Sequence, residues 1–577
     1  PTSQSRAPTS QSRAPTSQSR APTSQRFAFT AQRIAPTSQS RAPTSQRSAP
    51  TSQSRAPTSQ SRAPTSQRFA FTSQSLASTA QRFASTSGCT AYSSARPAPQ
   101  SGTEGLTQRT EPTISHGRMG IIVQKFGGTS VGSAERLHNV AAIIESTSHQ
   151  KPVIAVVSAM SGTTKAEGTT SLLLAAADAA RKSTPFAQEL SLVEQLHLRA
   201  VQQSIRQASL CQQTLQFVRE EIEKLQRFLE AIAVIRELSP RSQDLVMALG
   251  ERLSAYVLSA LLRDRGRASR FVDLSQVVPE HDKEVDPAFF RRLQARLAEL
   301  CRPQAGEVPV VTGFFGMVPG GLLHAVGRGY TDFTTAMIAA GLGHGHAEEM
   351  QVWKEVDGIF TADPRKVKSA RVLAKISPAE AAELTYFGSE VLHPFTMERV
   401  VSAQVPIRIK NTFRPGGTGT VITNEPQAPK GCVTAVTVKR GICVVTITSN
   451  RMFNAYGFLA RVFGALDRHG VVVDLVSTSE VSISCTVDKL SDAERARADL
   501  EQLGQVMLSP DRAILAVVGA GIKDTTGTAG RLFSTLGQAG ISVEMISQGA
   551  SEINISCIVK EGDAQRGLEA IHSAFFD

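Results

Sequence analysis

Five short stretches carry residue types suited to chemistry on phosphate and carboxylate groups. The first is Val123 to Ser130, VQKFGGTS. An apolar run ends in Lys125, turns through Gly127 and Gly128, and meets the hydroxyls of Thr129 and Ser130 before a helical pattern begins. A lysine offers phosphate a point charge. The glycines let backbone N–H groups approach anionic oxygens closely. The pattern is neither GxxxxGK[ST] nor GxGxxG, so neither standard nucleotide fold is implied. Taken alone, a glycine turn with an exposed lysine accounts for the same residues.

Four other stretches add partners. Ser158 to Thr164, SAMSGTT, follows the next apolar run and would line the same carboxyl edge of a parallel sheet, where open α/β sheets bind ligands. An ordinary hydroxyl-rich loop reads the same way. GERLS (250–254) sets Glu251 in a helical segment, either to accept hydrogen bonds from an ammonium group or as a solvated surface acid. GRGYTD (327–332) precedes an Ala-rich helix. There Arg328 suits a bidentate grip on a carboxylate, and Asp332 either orients a cationic partner or caps the helix. Finally, WKEVDGIFTADPR (353–365) gathers Lys354, Glu355, Phe360 and Arg365 in one loop, enough to hold an adenine nucleotide, or to form a turn at Asp363-Pro364.

The elements that must position these groups follow from periodicity. Residues 121–123 and 153–158 read as strands, with a helix between them marked by Val140, Ile143 and Ile144, giving a β-α-β unit. Residues 171–238 read as helical throughout, with Val218, Ile222, Leu225, Leu229 and Ile232 at three- and four-residue steps; Pro240 ends the run. A further helix covers 245–262, and strands are expected at 308–312, 351–353 and 407–409. Gly, Pro and Thr over 415–420, then Pro426 and Pro429, mark a boundary. Beyond it a β-α-β pattern occurs twice. Residues 442–448, 457–469 and 471–475 match 513–518, 528–539 and 541–546, and each unit continues into a strand, SEVSISCTV (479–487) or SEINISCIV (551–559).

Charge separates the leader from the body. Residues 1–103 hold 12 Arg and no Lys, Asp or Glu, while the remainder balances 50 basic against 50 acidic residues. The net charge of +12 therefore belongs to the leader and gives no ground for a nucleic-acid-binding body. The leader repeats PTSQSRA with a seven-residue period. It has no apolar seam, and proline once per repeat forbids a continuous helix, so disorder is expected. Its Arg/Ser-rich, acid-free composition also matches an organelle transit peptide. No apolar run approaches the ~18 residues of a membrane span, so no membrane partner is expected. Seven cysteines without a CxxC pair argue against a disulfide framework or zinc site, and no protein metal site is expected.

KFGGTS, SAMSGTT, GERLS, GRGYTD and VDGIFTADPR, in this order and ahead of two modules of the SEV/SEI type, resemble aspartate kinase over roughly 120–577. QVWKEVDGIF and GRGYTD are closest to fungal-type members; many bacterial ones read GRGGSD and WTDV. The chain resembles the monofunctional form. The resemblance implies an α/β chain: an amino-acid-kinase fold, with a mostly parallel sheet between helices, followed by two α+β ACT modules of ferredoxin-like type. The expected domains are a leader (1–118), a catalytic domain (119–425) and ACT modules at 436–505 and 511–577. It implies transfer of the γ-phosphoryl group of ATP, bound with Mg2+, to the side-chain carboxylate of L-aspartate. Lys125 would stabilise the phosphoryl group, Arg328 would clamp a carboxylate and Asp332 would organise the charges. Ser158, Thr164 and Glu251 would position aspartate. Gly127, Gly128, Thr129, Ser130, Lys354, Glu355, Phe360 and Arg365 would join Lys125 around the nucleotide.

One departure concerns FGSEVLHP (387–394), where Glu390 stands at a position that is Lys in many bacterial members. Lys354 replaces the Thr of the WTD variant and offers a substitute cation. The ACT modules imply a homo-oligomer and an amino-acid effector, threonine favoured over lysine, with Met452, Phe458, Asp474, Ser479 and Glu480 as candidate contacts; Met452 and Phe458 equally suit a core. Kinases of the same fold acting on glutamate, carbamate or UMP do not combine KFGGTS with twin ACT modules. A catalytically inactive ACT-type sensor would have lost one of Lys125, Glu251, Arg328 and Asp332, and all four are present. The expected location is cytoplasmic, or mitochondrial or plastid if the leader is a transit peptide.

Overall fold

The computed structural model describes residues 120–577 apart from 163–167, 279–285, 317, 319–320, 322–328, 387–391, 393, 426–432, 451–455 and 551–552. An eight-stranded sheet runs in the order β3-β4-β2-β1-β5-β7-β8-β6. Its strands are β1 (Ile121–Phe126), β2 (Val153–Val157), β3 (Ser269–Val272), β4 (Val308–Thr312), β5 (Ala347–Lys354), β6 (Lys375–Ile376), β7 (Ile407–Asn411) and β8 (Thr420–Ile422). Every neighbouring pair is parallel except β7 with β8. β1 is therefore central, between β2 and β5, and all six of its residues are buried. A strand covered on both faces needs a nearly continuous apolar sequence, which IIVQKF supplies except at Gln124 and Lys125.

Strand alternation decides which face each residue serves. Ile121 and Val123 join the core formed with α6 (Pro287–Cys301), α7 (Tyr330–Leu342) and α9 (Pro394–Ser402). Lys125 continues that odd series, so it points toward the α7 side. Phe126 belongs to the opposite core, under α1 (Ala134–Ser148) and the helices α2 (Thr169–Arg181), α3 (Ala187–Ser204), α4 (Ala208–Ile235) and α5 (Pro240–Asp264). Helix α1 starts where the Ser133 hydroxyl accepts the Arg136 amide at 3.3 Å. Leu137, Val140, Ala141 and Ile144 then bury one stripe.

The single long helix expected over 171–238 is three helices, α2 to α4. The first break spans Ser183, at φ 55°, and Pro185. The second is held from a distance: the Asp264 carboxylate accepts the Arg206 amide at 3.1 Å and the Gln207 amide at 2.7 Å. That tertiary cap satisfies backbone groups a continuous helix would have satisfied internally. Pro240 is also the start of α5, with the Ser239 hydroxyl accepting the Ser242 amide at 3.1 Å. Among the described residues α5 is the one helix long and apolar enough to cross a membrane, and it lies mostly buried within the protein.

The C-terminal repeats share one six-stranded sheet, ordered β10-β11-β9-β12-β14-β13. The strands are β9 (Ala435–Thr448), β10 (Val473–Thr478), β11 (Ser482–Val487), β12 (Gln505–Val518), β13 (Met545–Ser547) and β14 (Asn554–Lys560). The long β9 and β12 pair antiparallel and weld the modules together. Helices α10 (Phe458–Arg468) and α11 (Leu490–Glu501) cover the first module, α12 (Thr528–Gln538) and α13 (Ala564–Phe576) the second.

One helix joins the two sheets. α8 (Pro378–Tyr386) buries Ala381 and Leu384 in the core of the eight-stranded sheet. Along its length, three acceptors or donors spaced by three residues reach the six-stranded sheet. Glu380 accepts the Thr434 hydroxyl at 2.6 Å and the Ala520 amide at 2.9 Å, Glu383 accepts the Asn554 amide group, and the Tyr386 hydroxyl donates to Asp474 at 2.9 Å. Residues three apart share a helix face, so this one face of α8 is committed to both modules.

Candidate active site

Parallel strands bring the loops after β1, β2, β4 and β5 to one edge, the carboxyl edge of the sheet. There the KFGGTS and SAMSG loops interlock. Ser158 N–H donates to the Phe126 carbonyl at 3.1 Å, and Ser161 N–H donates to the Gly128 carbonyl at 3.0 Å. A Cβ on Gly128 would overlap the Ala159 carbonyl oxygen, so this glycine is set by close backbone approach.

At the end of β1, Lys125 Nζ pairs with Asp332 Oδ1 at 2.8 Å; both side chains are about nine-tenths buried, at 10% and 12% exposure. Asp332 lies in the first turn of α7, whose N-cap is Gly329, and no side-chain cap bond forms there. The capping alternative for Asp332 therefore gives way to the ion pair. A second group sits beside it. Thr331 donates to Glu251 Oε1 at 2.8 Å and accepts from the Ser158 hydroxyl at 2.9 Å. The Ser254 hydroxyl in turn donates to the Ser158 carbonyl at 2.8 Å. One threonine thus ties together the strand–loop residue and the helix residue expected to position the substrate.

Glu251 is 1% exposed, and burial pushes its carboxyl up to about 7; the Thr331 hydroxyl, the Phe314 backbone, the Tyr330 hydroxyl and the Lys125 charge hold it back. No well-formed hydrogen bond reaches its Oε2 among the described residues. An unsatisfied buried carboxylate oxygen is costly without a partner, so the site favours an incoming cation. Burial, and then the neighbouring Glu251, raise the Tyr330 phenol in the same pocket.

On the other flank of Lys125, the Thr129 hydroxyl donates to the Glu355 carboxylate, drawing the glycine turn onto the loop after β5. Ser130 faces inward instead: it is fully buried, with its hydroxyl 3.0 Å from that of Thr412, so its side chain is spent within the fold. Asn411 donates to Asp357 Oδ1 at 2.8 Å, and Arg414 pairs with Asp357 at 2.7 Å. Phe360 is half-buried, bridging Val372, and Arg365 is 89% exposed, paired with Asp363 at 3.0 Å. Lys354 stands at the end of β5, its carbonyl accepting the Thr412 amide at 2.8 Å. Arg328, Thr164, Met452 and Glu390 lie outside the described residues.

The effector candidates fare differently. Phe458 is 4% exposed within the first module's core, under the Arg461 guanidinium, which makes it structural. Asp474 is held by Lys439 at 2.5 Å and by the Tyr386 hydroxyl, so its carboxylate is already used between domains. Ser479 closes the β10–β11 turn, accepting the Ser482 amide at 3.1 Å, and Glu480 is exposed in that turn. Three site residues escaped the sequence reading as functional positions. Thr331 stood inside GRGYTD without a role, while Asn411 ends β7 and Thr412 follows it at the ligand edge, where polar residues closing the alternating strand IRIKN were the available signal.

Comparison with known proteins agrees with this geometry. Residues 120–411 match the amino acid kinase family, and 445–503 and 515–575 each match an ACT domain. An aspartokinase of Schizosaccharomyces pombe is 45% identical over 487 residues, covering 79% of this chain and 93% of the relative. One from Saccharomyces cerevisiae is 42% identical, covering 80% and 94%. Among solved structures, E. coli aspartokinase III in complex with aspartate and ADP is 28% identical, with a TM-score of 0.62 over 79% of this chain and all of that one. The parallel sheet, its lysine-bearing edge and the paired regulatory modules thus define an amino acid kinase with ACT domains. Within that class, the chain belongs to the aspartokinases.

Proposed function

We propose that this kinase phosphorylates the side-chain carboxylate of L-aspartate with the residue roles set out here. Bond formation joins a carboxylate oxygen to the γ-phosphorus, the bond from that phosphorus to the β-bridging oxygen breaks, and ADP leaves with the electron pair. The nucleophile is already ionised, so no general base is needed; positioning and charge stabilisation carry the reaction. The observation that carries this reading is the buried Lys125–Asp332 pair beside the Glu251–Thr331–Ser158 cluster. Lys125 is held extended by Asp332, ready to neutralise charge on the phosphoryl oxygens in flight. Glu251 takes the α-ammonium of aspartate, which brings a cation into direct contact with its carboxylate. Arg328 clamps a substrate carboxylate, and Thr164 helps to position aspartate. Lys354, Glu355, Phe360 and Arg365 hold ATP, which arrives with Mg2+ as part of the substrate.

Feedback inhibition by an amino acid, threonine ahead of lysine, acts through the ACT modules. A structure of E. coli aspartokinase III is described in complex with lysine and aspartate, which supports effector binding by the family. The docking of α8 on both modules supplies a physical route to the catalytic domain. A homo-oligomer assembles through the regulatory sheet, consistent with exposed Val472, Val481 and Ile546 around its outer strands. The location is cytoplasmic, or an organelle if the acid-free leader is a transit peptide. A coupled assay of ADP release tests the core reading: release requires aspartate and falls with millimolar threonine. Release independent of aspartate sinks the substrate assignment, and rates indifferent to threonine across aspartate concentrations sink the effector.

A further inference from the structure

The loop assigned to ATP is not housed wholly in the kinase domain. Its base closes as a hairpin, with Leu373 N–H donating to the Ile359 carbonyl at 2.8 Å and Thr361 N–H donating to the Arg371 carbonyl at 2.9 Å. Its tip then leaves the kinase core altogether. Ala362 and Val367 are buried in the hydrophobic core of the second ACT module, with Leu515, Leu532, Leu568 and Ile571. The Thr361 carbonyl accepts the Val436 amide of β9 at 2.8 Å, which is a strand-like bond to the regulatory sheet. Further along, the Lys366 carbonyl accepts the Gln565 side-chain amide at 2.9 Å, and Arg371 donates to the Phe576 carbonyl at 3.1 Å, both on α13.

At the centre of this contact is His572 of α13. It is fully buried and stacked on Phe576, with ring centroids 4.7 Å apart. Its Nε2 lies 2.9 Å from the Thr361 hydroxyl and its Nδ1 lies 3.3 Å from the Ser369 hydroxyl. The two ring nitrogens thus pin both arms of the loop. A neutral imidazole carries one donor and one acceptor, and hydroxyls rotate to suit either, so both bonds form on an uncharged ring. The Thr361 hydroxyl also accepts the Arg371 amide at 3.0 Å, which leaves its own proton free for a ring nitrogen. Phe360 and Arg365 flank this pinned segment on either side of Thr361 and Ala362.

We propose that His572 is a positioning residue for the nucleotide: through Thr361 and Ser369, the last helix of the second ACT module sets the loop that carries Phe360 and Arg365. The inference rests on the reading that this loop holds ATP. It makes the ATP site a product of both sheets, and it separates the part of ATP binding that depends on α13 from aspartate binding, which is built from the end of β2, α5 and α7.

The test is steady-state kinetics and direct ADP binding on the full chain. His572→Phe keeps an aromatic ring against Phe576 and removes both hydrogen bonds. Thr361→Val removes one of the same bonds from the other side at nearly constant shape, and stands in if the histidine variant does not fold. Each is expected to raise the Michaelis constant for ATP and the ADP dissociation constant about five- to tenfold, the loss of roughly one buried hydrogen bond. Turnover and the Michaelis constant for aspartate should stay within about twofold of wild type. His572→Gln, which restores a donor and an acceptor, should recover most of the ATP affinity. An ATP constant within twofold of wild type in both variants overturns the proposal, as does an equal change in ATP, aspartate and turnover terms, which marks a merely structural role. Arg365→Ala and Phe360→Ala serve as the reference. If these leave ATP binding unchanged, the loop assignment itself fails; if they weaken it while Thr361→Val and His572→Phe do not, only the positioning role fails.

Discussion

Lys125 and Asp332 meet at 2.8 Å where the central strand of the sheet ends and helix α7 begins, and both are almost wholly buried. Neither charge is affordable there without the other, because an unpaired buried ion loses its hydration with no compensation. The pair therefore does two things: it allows a lysine to sit at the ligand edge, and it fixes that lysine's direction. Strand alternation supplied the direction first, by placing Lys125 on the α7 side with Ile121 and Val123.

Lys125→Ala should reduce turnover roughly 100- to 1,000-fold, the scale seen when one electrostatic contact to a transition state is removed. Aspartate binding should change far less, since the groups assigned to its ammonium lie on α5 and α7. Measuring turnover by ADP release and aspartate affinity by calorimetry separates the two. A variant with normal turnover returns the glycine turn to a structural role.

Glu251 gives a pH dependence with a definite sign. Burial raises its carboxyl from an ordinary value near 4.5 to about 7. The folded protein without substrate therefore binds a proton there that the unfolded chain has released between those values. That contribution to stability is fully present below about pH 4.5 and is lost as the pH rises through about 7, an amount on the order of 3 kcal/mol. Aspartate reverses the preference, because its ammonium selects the ionised form. Its Michaelis constant should rise roughly tenfold per unit as the pH falls below about 7. Glu251→Gln should bind aspartate weakly and lose this slope. A slope unchanged in that variant would assign the titration elsewhere.

Much of this arrangement was legible from sequence because it is local. The first β-α-β unit, the strand ends bearing Lys125 and Ser158, and the twofold repeat each follow from alternation or helical period. The rest is not local. Nothing in residues 171–238 announces that Asp264 will reach across to cap a helix at Arg206 and Gln207. TADPRKV reads as a turn, yet Ala362 and Val367 complete the core of another domain. Asp474 had the look of a free effector contact because its partners, Lys439 and Tyr386, lie on a different strand and in a different domain. Thr331 was visible as a residue but not as a hub, since both of its partners are remote in the chain.

The nucleotide side carries its own test. Glu390 reverses the charge found at that position in many bacterial members, and Lys354 at the end of β5 offers the replacement cation. A lysine contact to phosphate at a partly exposed edge is worth about 1 to 3 kcal/mol as a charge-assisted hydrogen bond. Lys354→Ala should therefore raise the Michaelis constant for ATP by roughly tenfold, with that for aspartate little altered. No rise would leave the nucleotide to Arg365 and the glycine turn.

The regulatory link can be cut at a single oxygen. Tyr386 ends α8 and donates to Asp474, which Lys439 also holds, while Lys439 lies 5.6 Å from the centre of the tyrosine ring. Burial and then the Asp474 charge push the Tyr386 phenol upward, so it remains a donor at any working pH. Tyr386→Phe keeps the ring and the cation–π contact and deletes only the donor. The fold should lose about 1 kcal/mol, the net worth of one such bond, measured as a lower denaturation midpoint. The effector's own binding, followed by calorimetry, should be unchanged, because Asp474 keeps Lys439. Inhibition should weaken, with a higher effector concentration needed for half-maximal effect, because one of the four hydrogen bonds described from α8 to the regulatory sheet is gone. Inhibition and binding both unchanged would place the coupling on Glu380 and Glu383, whose bonds to Thr434, Ala520 and Asn554 reach the other end of the helix.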